Sequence, residues 1–344
     1  MDNGSGGMFE DLIFNGGGVG FYAGNQQWTA RNLTFNNCQT AIFQNWNWVF
    51  NYKSITINNC NIGIDMSQGS NVPATGSIVL LDSVMNNVLT AGILTSFNTN
   101  STPVAAATLI LDNVEFSNTP NAVSLQDGTV IVPGNQTVSS FIQGRAYTAY
   151  DSEEMVGNLT CYEPAADGAR VQQLANPPPK PASLMDNTDI DRIYERSKPQ
   201  YEGVPVDNFK SIMDYGCPND GITDATQCVQ NFFNSIATDQ VAFIDHGAYV
   251  IRDTIAIPNN IKIVGEIWPY FMVDGSSSTF ADINNPQPAF RVGEPGDLGA
   301  VEMSEIIFQT IGPAPGAIMM QWNLGQSSQG SNGNHSSTKT CCNY

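Results

Sequence analysis

The stretch GNQQWTARNLTFNNCQTAIFQNWNWVFNYK gathers Trp28, Trp46, Trp48, Phe50 and Tyr52 beside Gln26, Gln27, Asn45 and Asn47. An aromatic face gives a sugar ring an apolar surface to lie on, and neighbouring amides bond its hydroxyls. That is the chemistry of carbohydrate recognition. Trp46, Trp48, Tyr52 and Asn45 are the expected sugar contacts, with about two of the five rings expected in the core, where bulk is also needed. Elsewhere the chain shows no Ser/His/Asp array and no phosphate loop. Its seven cysteines form no C-x-x-C pair of the zinc type, and His246 in FIDHGAY is a lone turn histidine. No metal and no cofactor is expected.

Bulk properties exclude several partners. The 344 residues carry a formal charge of -19, which repels phosphate backbones and anionic lipid heads, so neither nucleic acid nor membrane is an expected partner. No run of about 18 apolar residues occurs, so no membrane-spanning helix is expected. The N-terminal residues lack a basic segment followed by an apolar one, so no signal peptide is expected within this chain. Yet six N-x-[ST] sequons, at Asn3, Asn32, Asn100, Asn135, Asn158 and Asn334, and scarce lysine give a secreted character. The chain is expected to be monomeric.

What must position the aromatic face is a repeat. NLTFNNCQTAI returns as SITINNCNIGI, and the apolar residue opening each phrase falls at Leu12, Leu33, Ile55, Val84 and Val114, steps of 21, 22, 29 and 30 residues. Three places on stand Asn15, Asn36, Asn58, Asn87 and Ser117; nine places on stand Phe21, Ile42, Ile64, Ile93 and Val123. Short alternating runs separated by Gly, Asn and Asp turns, with no helical period between them, predict an all-β chain wound as a right-handed parallel β-helix, one coil per copy. The recurring Asn predicts an internal amide ladder. In the fourth copy Asn86 takes the place of Phe14, Phe35, Ile57 and Phe116, which predicts a distorted coil there. Cys38 and Cys60 occupy one place in successive copies and would stack, as a disulfide or as two buried thiols.

The repeat stops near residue 145. Residues 1–148 read as the C-terminal part of a first β-helix, and 149–205, containing PPPKP, as an extended linker. Residues 206–324 read as the start of a second β-helix, with a helix beginning near Thr223, and 325–344 as a polar low-complexity tail that cannot make a packed coil. Both units look incomplete.

The phrases NDGITDATQCVQ and VAFIDHGAYVIRDTIAIPNNIKIVGE resemble the opening cap of the pectate-lyase-like β-helix superfamily, although Asn219 and Ala225 depart from its Asp-rich form. Cys217 and Cys228 flank that cap and are disulfide candidates joining turn to helix. Together with the repeat, RIYERSKPQYEG and VGEPGDLGAVEMSEIIFQTIGPAPGAIMMQWN, they resemble the fungal exo-β-1,3-glucanases of glycoside hydrolase family 55, over roughly residues 6 to 324. The resemblance implies a secreted inverting hydrolase of β-1,3-glucan built from two β-helices. It also implies that Gln26, Gln27 and Ser54 position the attacking water, and that the general acid comes from a coil of the second helix beyond these residues. Gln321 stands where the family is expected to carry Glu. Glu302 and Glu305 alternate with apolar residues on a strand, Glu305 toward solvent, and Asp220 and Asp224 belong to the cap turn. Two alternatives remain open: a non-catalytic polysaccharide-binding β-helix, and a pectate-lyase-like lyase, which would need an Asp cluster for calcium with a nearby Arg or Lys.

Overall fold

The computed structural model describes residues 4–69, 74–97, 106–145, 170–176 and 179–338, with backbone alone for 333–338. Sequons Asn3, Asn100 and Asn158, the Asn334 side chain, and Cys161, Cys341 and Cys342 lie outside the described residues. The chain is all-β with curled sheets and divides into two compact units, Met1–Ser197 and Lys198–Tyr344.

Unit 1 is built on β1 (Met8–Asn15), β2 (Val19–Asn36), β3 (Thr40–Asn58), β4 (Ile62–Met66), β5 (Thr75–Asn86), β6 (Ala91–Thr95), β7 (Thr108–Ser117) and β8 (Asn121–Leu125). Strand follows strand in parallel register, β1 on β2 on β3 on β5 on β7, with β4, β6 and β8 forming a second row. Like side chains therefore stack on like. The column Phe14, Phe35, Ile57, Met85, Phe116 runs through the core, the first two rings stacked at 4.6 Å. Between copies the Asn36 amide donates to Asn15 at 2.9 Å, Asn58 to Asn36 at 3.1 Å, and Asn87 to Asn59 at 2.8 Å. Asn15, Asn36 and Asn58 keep the predicted column, but these amides are half-buried or exposed and not internal, and Asn87 joins Asn59 in the neighbouring column. The chain then reverses through β9 (Val130–Pro133), β10 (Gln136–Arg145) and β11 (Arg170–Leu174), all paired antiparallel.

The fourth copy differs from its expected register. Val84 stands opposite Thr56, and buried Met85 opposite Ile57, so the aromatic place is filled and Asn86 sits opposite Asn58. The place of Ile55 is taken by Ser83. Its hydroxyl accepts the Ile55 N–H at 3.0 Å and donates to the Leu81 carbonyl at 2.7 Å, so a satisfied serine replaces an apolar residue without distorting the coil. Cys38 and Cys60 are buried free thiols, the Cys38 N–H donating to Cys60 Sγ at 3.3 Å.

Residues 170–197, within the stretch that reads as a linker, belong to unit 1. Lys180 Nζ pairs with Asp112 at 2.7 Å, Asn113 donates to the Asp191 carbonyl at 3.0 Å, and Lys53 Nζ pairs with Glu195 at 2.8 Å.

Unit 2 comprises β12 (Phe209–Ser211), β13 (Asp220–Asp224), α1 (Thr226–Ser235), β14 (Val241–Ile244), β15 (Ala248–Ile251), β16 (Ile255–Ile257), β17 (Asn260–Gly265), β18 (Tyr270–Asp274), β19 (Gln287–Val292), β20 (Leu298–Ile311), β21 (Ala317–Trp322), β22 (Gly325–Gln326) and β23 (Gly333–Thr338). Parallel stacking recurs as β14 on β17 on β20, β15 on β18 on β20, and β16 on β19 on β21. The core centres on Phe271, whose ring meets those of Phe233, Tyr249, Phe290 and Phe308.

Helix α1 starts three residues later than expected. Asp220 gathers the N–H groups of Ile222 and Thr223 into a turn, and Asp224 Oδ1 then accepts the Thr226 N–H at 2.9 Å. Part of the polar tail is also corrected. Both β22 and β23 pair parallel with β20, because backbone hydrogen bonding into a sheet needs no apolar side chain. Residues 339–344 of that tail lie outside the described residues. Cys217 and Cys228 form a disulfide, Cα atoms 5.4 Å apart, closing the loop onto α1. Replacing both with Ser is expected to lower the urea stability of unit 2 by about 3 kcal/mol, the loop-closure entropy of a short loop. Unchanged unfolding would show that the loop is ordered without the bond.

Candidate functional site

The aromatic face lies where β2, β3 and β5 run side by side. Asn25 faces Asn47 and Gln27 faces Val49 across β2 and β3, which sets Gln26 beside Trp48. Asn47 faces Thr75 and Val49 faces Ser77 across β3 and β5, which sets Gly76 on the other flank. A Cβ at Gly76 would fall 2.4 Å from the Trp48 carbonyl, so only glycine fits. Gly76 therefore brings no side chain to that flank of Trp48. Trp48 is 59% exposed, and Gln27 is exposed as well.

Buried amides fix this surface from beneath. Asn47 accepts the Gly76 N–H at 2.7 Å and donates to the Ser77 carbonyl at 2.9 Å, tying β5 to β3 under Trp48. Asn25, also buried, accepts the Gln26 N–H at 3.1 Å. Among the described residues the Gln26 side-chain amide has no hydrogen bond, while Gln27 donates to the Ser5 carbonyl at 3.2 Å. Asn45 and Trp46 are half-buried, and Asn45 is the extra residue where β3 bulges opposite the Ala23–Gly24 step. A rigid indole flanked by an unspent amide can hold a sugar ring by its face and its hydroxyls.

Of the five rings, Phe50 and Tyr52 lie in the core. Tyr52, expected as a sugar contact, is 0% exposed and donates its hydroxyl to Gln44 Oε1 at 2.7 Å, and burial pushes its phenol far above the ordinary range. Alternation decides this: Tyr52 lies an even number of places from buried Phe50. Tyr52→Phe is expected to destabilise the chain by roughly 1–3 kcal/mol, since it strands a buried acceptor, without changing carbohydrate retention. Loss of retention at unchanged stability would return Tyr52 to the site. Trp28 is half-buried, stacked on Phe9 at 4.9 Å.

Ser54 lies six residues beyond Trp48, in a different column. Asp11, Asn32, Ser54, Asp82 and Asn113 recur at one turn of each copy, all with left-handed φ between 45° and 59°. Its hydroxyl donates to the Glu195 carboxylate and accepts from Lys53 at 3.2 Å. The strand register therefore joins Ser54 to neither glutamine.

Asp82 and Glu195 were missed by sequence reasoning. The Asp82 side chain, 1% exposed, accepts from Asn113 at 2.8 Å and from the Ile193 N–H at 3.0 Å, with Lys53 Nζ at 3.4 Å. Arg192 donates to the Asp82 carbonyl. An aspartate recurring in the left-handed turn column was the available signal for Asp82.

In unit 2 the other candidate acids are engaged. Glu302 accepts from the Tyr201 hydroxyl at 2.9 Å, and Glu305, expected toward solvent, accepts from Trp268 Nε1 at 2.6 Å and pairs with Lys198. Gln321 accepts from Arg291 at 3.2 Å. The N–H groups of Thr223 and Ile222 hold the Asp220 carboxyl down at about 2, the signature of a turn cap. Asp224 is bonded to Thr226, and the His246 backbone N–H to Glu266. Among the described residues no group of three His, Cys, Asp or Glu could hold a metal ion, and no helix is long and apolar enough to cross a membrane.

Residues 1–65 match the family described as rhamnogalacturonase A/epimerase, pectate lyase-like. A protein of Arthroderma benhamiae named probable glucan endo-1,3-beta-glucosidase is 38% identical over 97% of this chain and 46% of its own length. The glucan 1,3-beta-glucosidase of Cochliobolus carbonum is 34% identical over 94% of this chain and 39% of its own length. A Penicillium expansum protein named non-secreted LysM effector LysM19 is 32% identical over 97% of this chain and 26% of its own length. The chain thus spans less than half the length of each. The resemblance of the sequence to the fungal β-1,3-glucanases of glycoside hydrolase family 55 therefore holds across nearly the whole chain.

Proposed function

We propose that this chain is part of an extracellular β-1,3-glucan hydrolase, and that the Trp48 face of unit 1 lies against the polymer. The observation that carries this reading is the column Gln26–Trp48–Gly76, an exposed indole with glycine on one flank and, among the described residues, an unspent amide on the other, in a chain similar to proteins named for β-1,3-glucan chemistry. The parallel register of both units supports the finer fold, two right-handed β-helices in tandem, with residues 179–197 docked on the first. In an exo-acting inverting reaction, Gln26 and Gln27 would orient water at the sugar ring, being too weakly basic to deprotonate it. Ser54, bonded to Glu195, would act less directly. Since Asp82, Glu195, Glu302 and Glu305 each accept hydrogen bonds from neighbours, binding is expected to exceed turnover in this chain, which works as a monomer.

The test is to incubate the purified chain with laminarin, measuring glucose release and retention on insoluble β-1,3-glucan in one preparation. Retention with little glucose is the expected result. Rapid release of α-glucose would show a competent acid within these residues, and absence of both would remove the glucan reading.

A further inference from the structure

Three residues of unit 2 hold left-handed backbone in one small region: Ile267 at φ 48°, Trp268 at φ 62° and Glu305 at φ 59°. At Glu305 this resembles the recurring turns of unit 1, where short Asn, Asp and Ser tolerate such a backbone. Ile267 and Trp268 are different. They are consecutive, one is β-branched and the other carries an indole, and Pro269 follows, which further restricts the residue before it. Neither gains burial in exchange, since Ile267 is 75% and Trp268 53% exposed. Strain without burial points to display.

The surroundings hold the display rigid. The Ile307 N–H donates to the Pro269 carbonyl at 3.0 Å, the Tyr270 N–H to the Gly247 carbonyl at 2.8 Å and the Glu266 N–H to the Ile244 carbonyl at 2.9 Å. Gly265 admits the Pro269 ring, because a Cβ there would fall 2.7 Å from Pro269 Cδ. The indole is then fixed by its own bond to Glu305, whose other oxygen pairs with Lys198.

We propose that Trp268 is a sugar-stacking platform in unit 2, taking a neutral glucosyl ring of β-1,3-glucan; this rests on the glucan reading above. Neutrality follows from the charges. Lys198 is already neutralised by Glu305, and a chain of charge -19 repels uronates. The exposed part of the indole is left for the sugar, while Glu305, bonded to both Trp268 and Lys198, holds the indole in place.

The experiment titrates the full chain with β-1,3-glucohexaose and maps hydroxyl-radical oxidation of its tryptophans with and without saturating ligand. Trp268 is expected to be protected, Trp268→Ala to bind about tenfold more weakly, and Trp268→Phe to recover most of that loss. Footprinting reads the wild-type chain, so it decides the matter even if Trp268→Ala fails to fold. Protection of Trp48 alone, with Trp268 oxidised as fast as in the free chain, overturns this inference and leaves the glucan reading intact. No binding by the wild-type chain overturns both.

Discussion

Trp48→Ala is expected to reduce retention on insoluble β-1,3-glucan by roughly 10- to 100-fold, the worth of an aromatic face stacked on a sugar ring. The same substitution should change stability by no more than about 0.5 kcal/mol, because a largely exposed side chain leaves no cavity. That separation follows from the geometry. Asn47, one residue away and buried, fixes the strand through Gly76 and Ser77, so the backbone under Trp48 does not depend on the indole. Affinity gels measure the first quantity and urea unfolding the second. Equal retention by wild type and variant would remove Trp48 from the site.

Asp82→Ala is expected to lower unfolding stability by roughly 2–4 kcal/mol and to open residues 179–197 to protease, since it strands charged and backbone donors in a buried place. Three groups lose this acceptor together: the Ile193 N–H, the Asn113 amide, which keeps the Asp191 carbonyl, and Lys53, which keeps Glu195 and Ser54. Asp82→Asn retains an acceptor oxygen and is expected to lose less. The cleavage map matters most here. A loss of stability with no new cleavage between 179 and 197 would mean that Asp82 supports the coil rather than the docked segment.

Much of unit 1 is legible because each copy repeats one physical solution. Apolar residues at period two fix the inward face, and Asn at the turns fixes the ladder, so Leu33, Phe35, Ile55 and Ile57 could be placed without coordinates. Legibility fails where a different residue solves the same problem. Ser83 stands inward with its hydroxyl satisfied by Ile55 and Leu81, and the apolar template slips to Val84 by one place. Tyr52 misleads for a related reason: its hydroxyl suggests a wet ring, yet buried Gln44 supplies the partner.

The docking of residues 179–197 shows the other limit. Its contacts, such as Asn113 with Asp191 and Lys53 with Glu195, join residues 78 and 142 positions apart, each made once. A single polar pair leaves no periodic trace, whereas an apolar column does. Composition therefore reads as a linker what the fold uses as a strap. Within the candidate site, the aromatic and amide residue types were readable from spacing, but which rings face outward required the register that sets Gln26 and Gly76 beside Trp48.

The most direct measurement is affinity electrophoresis of the intact chain through gels containing laminarin, a β-1,4-glucan or polygalacturonate. Retardation by laminarin, little by the β-1,4-glucan and none by polygalacturonate is the expected pattern. Retardation by polygalacturonate without laminarin would contradict the assignment, turning the same aromatic face toward pectic polymers.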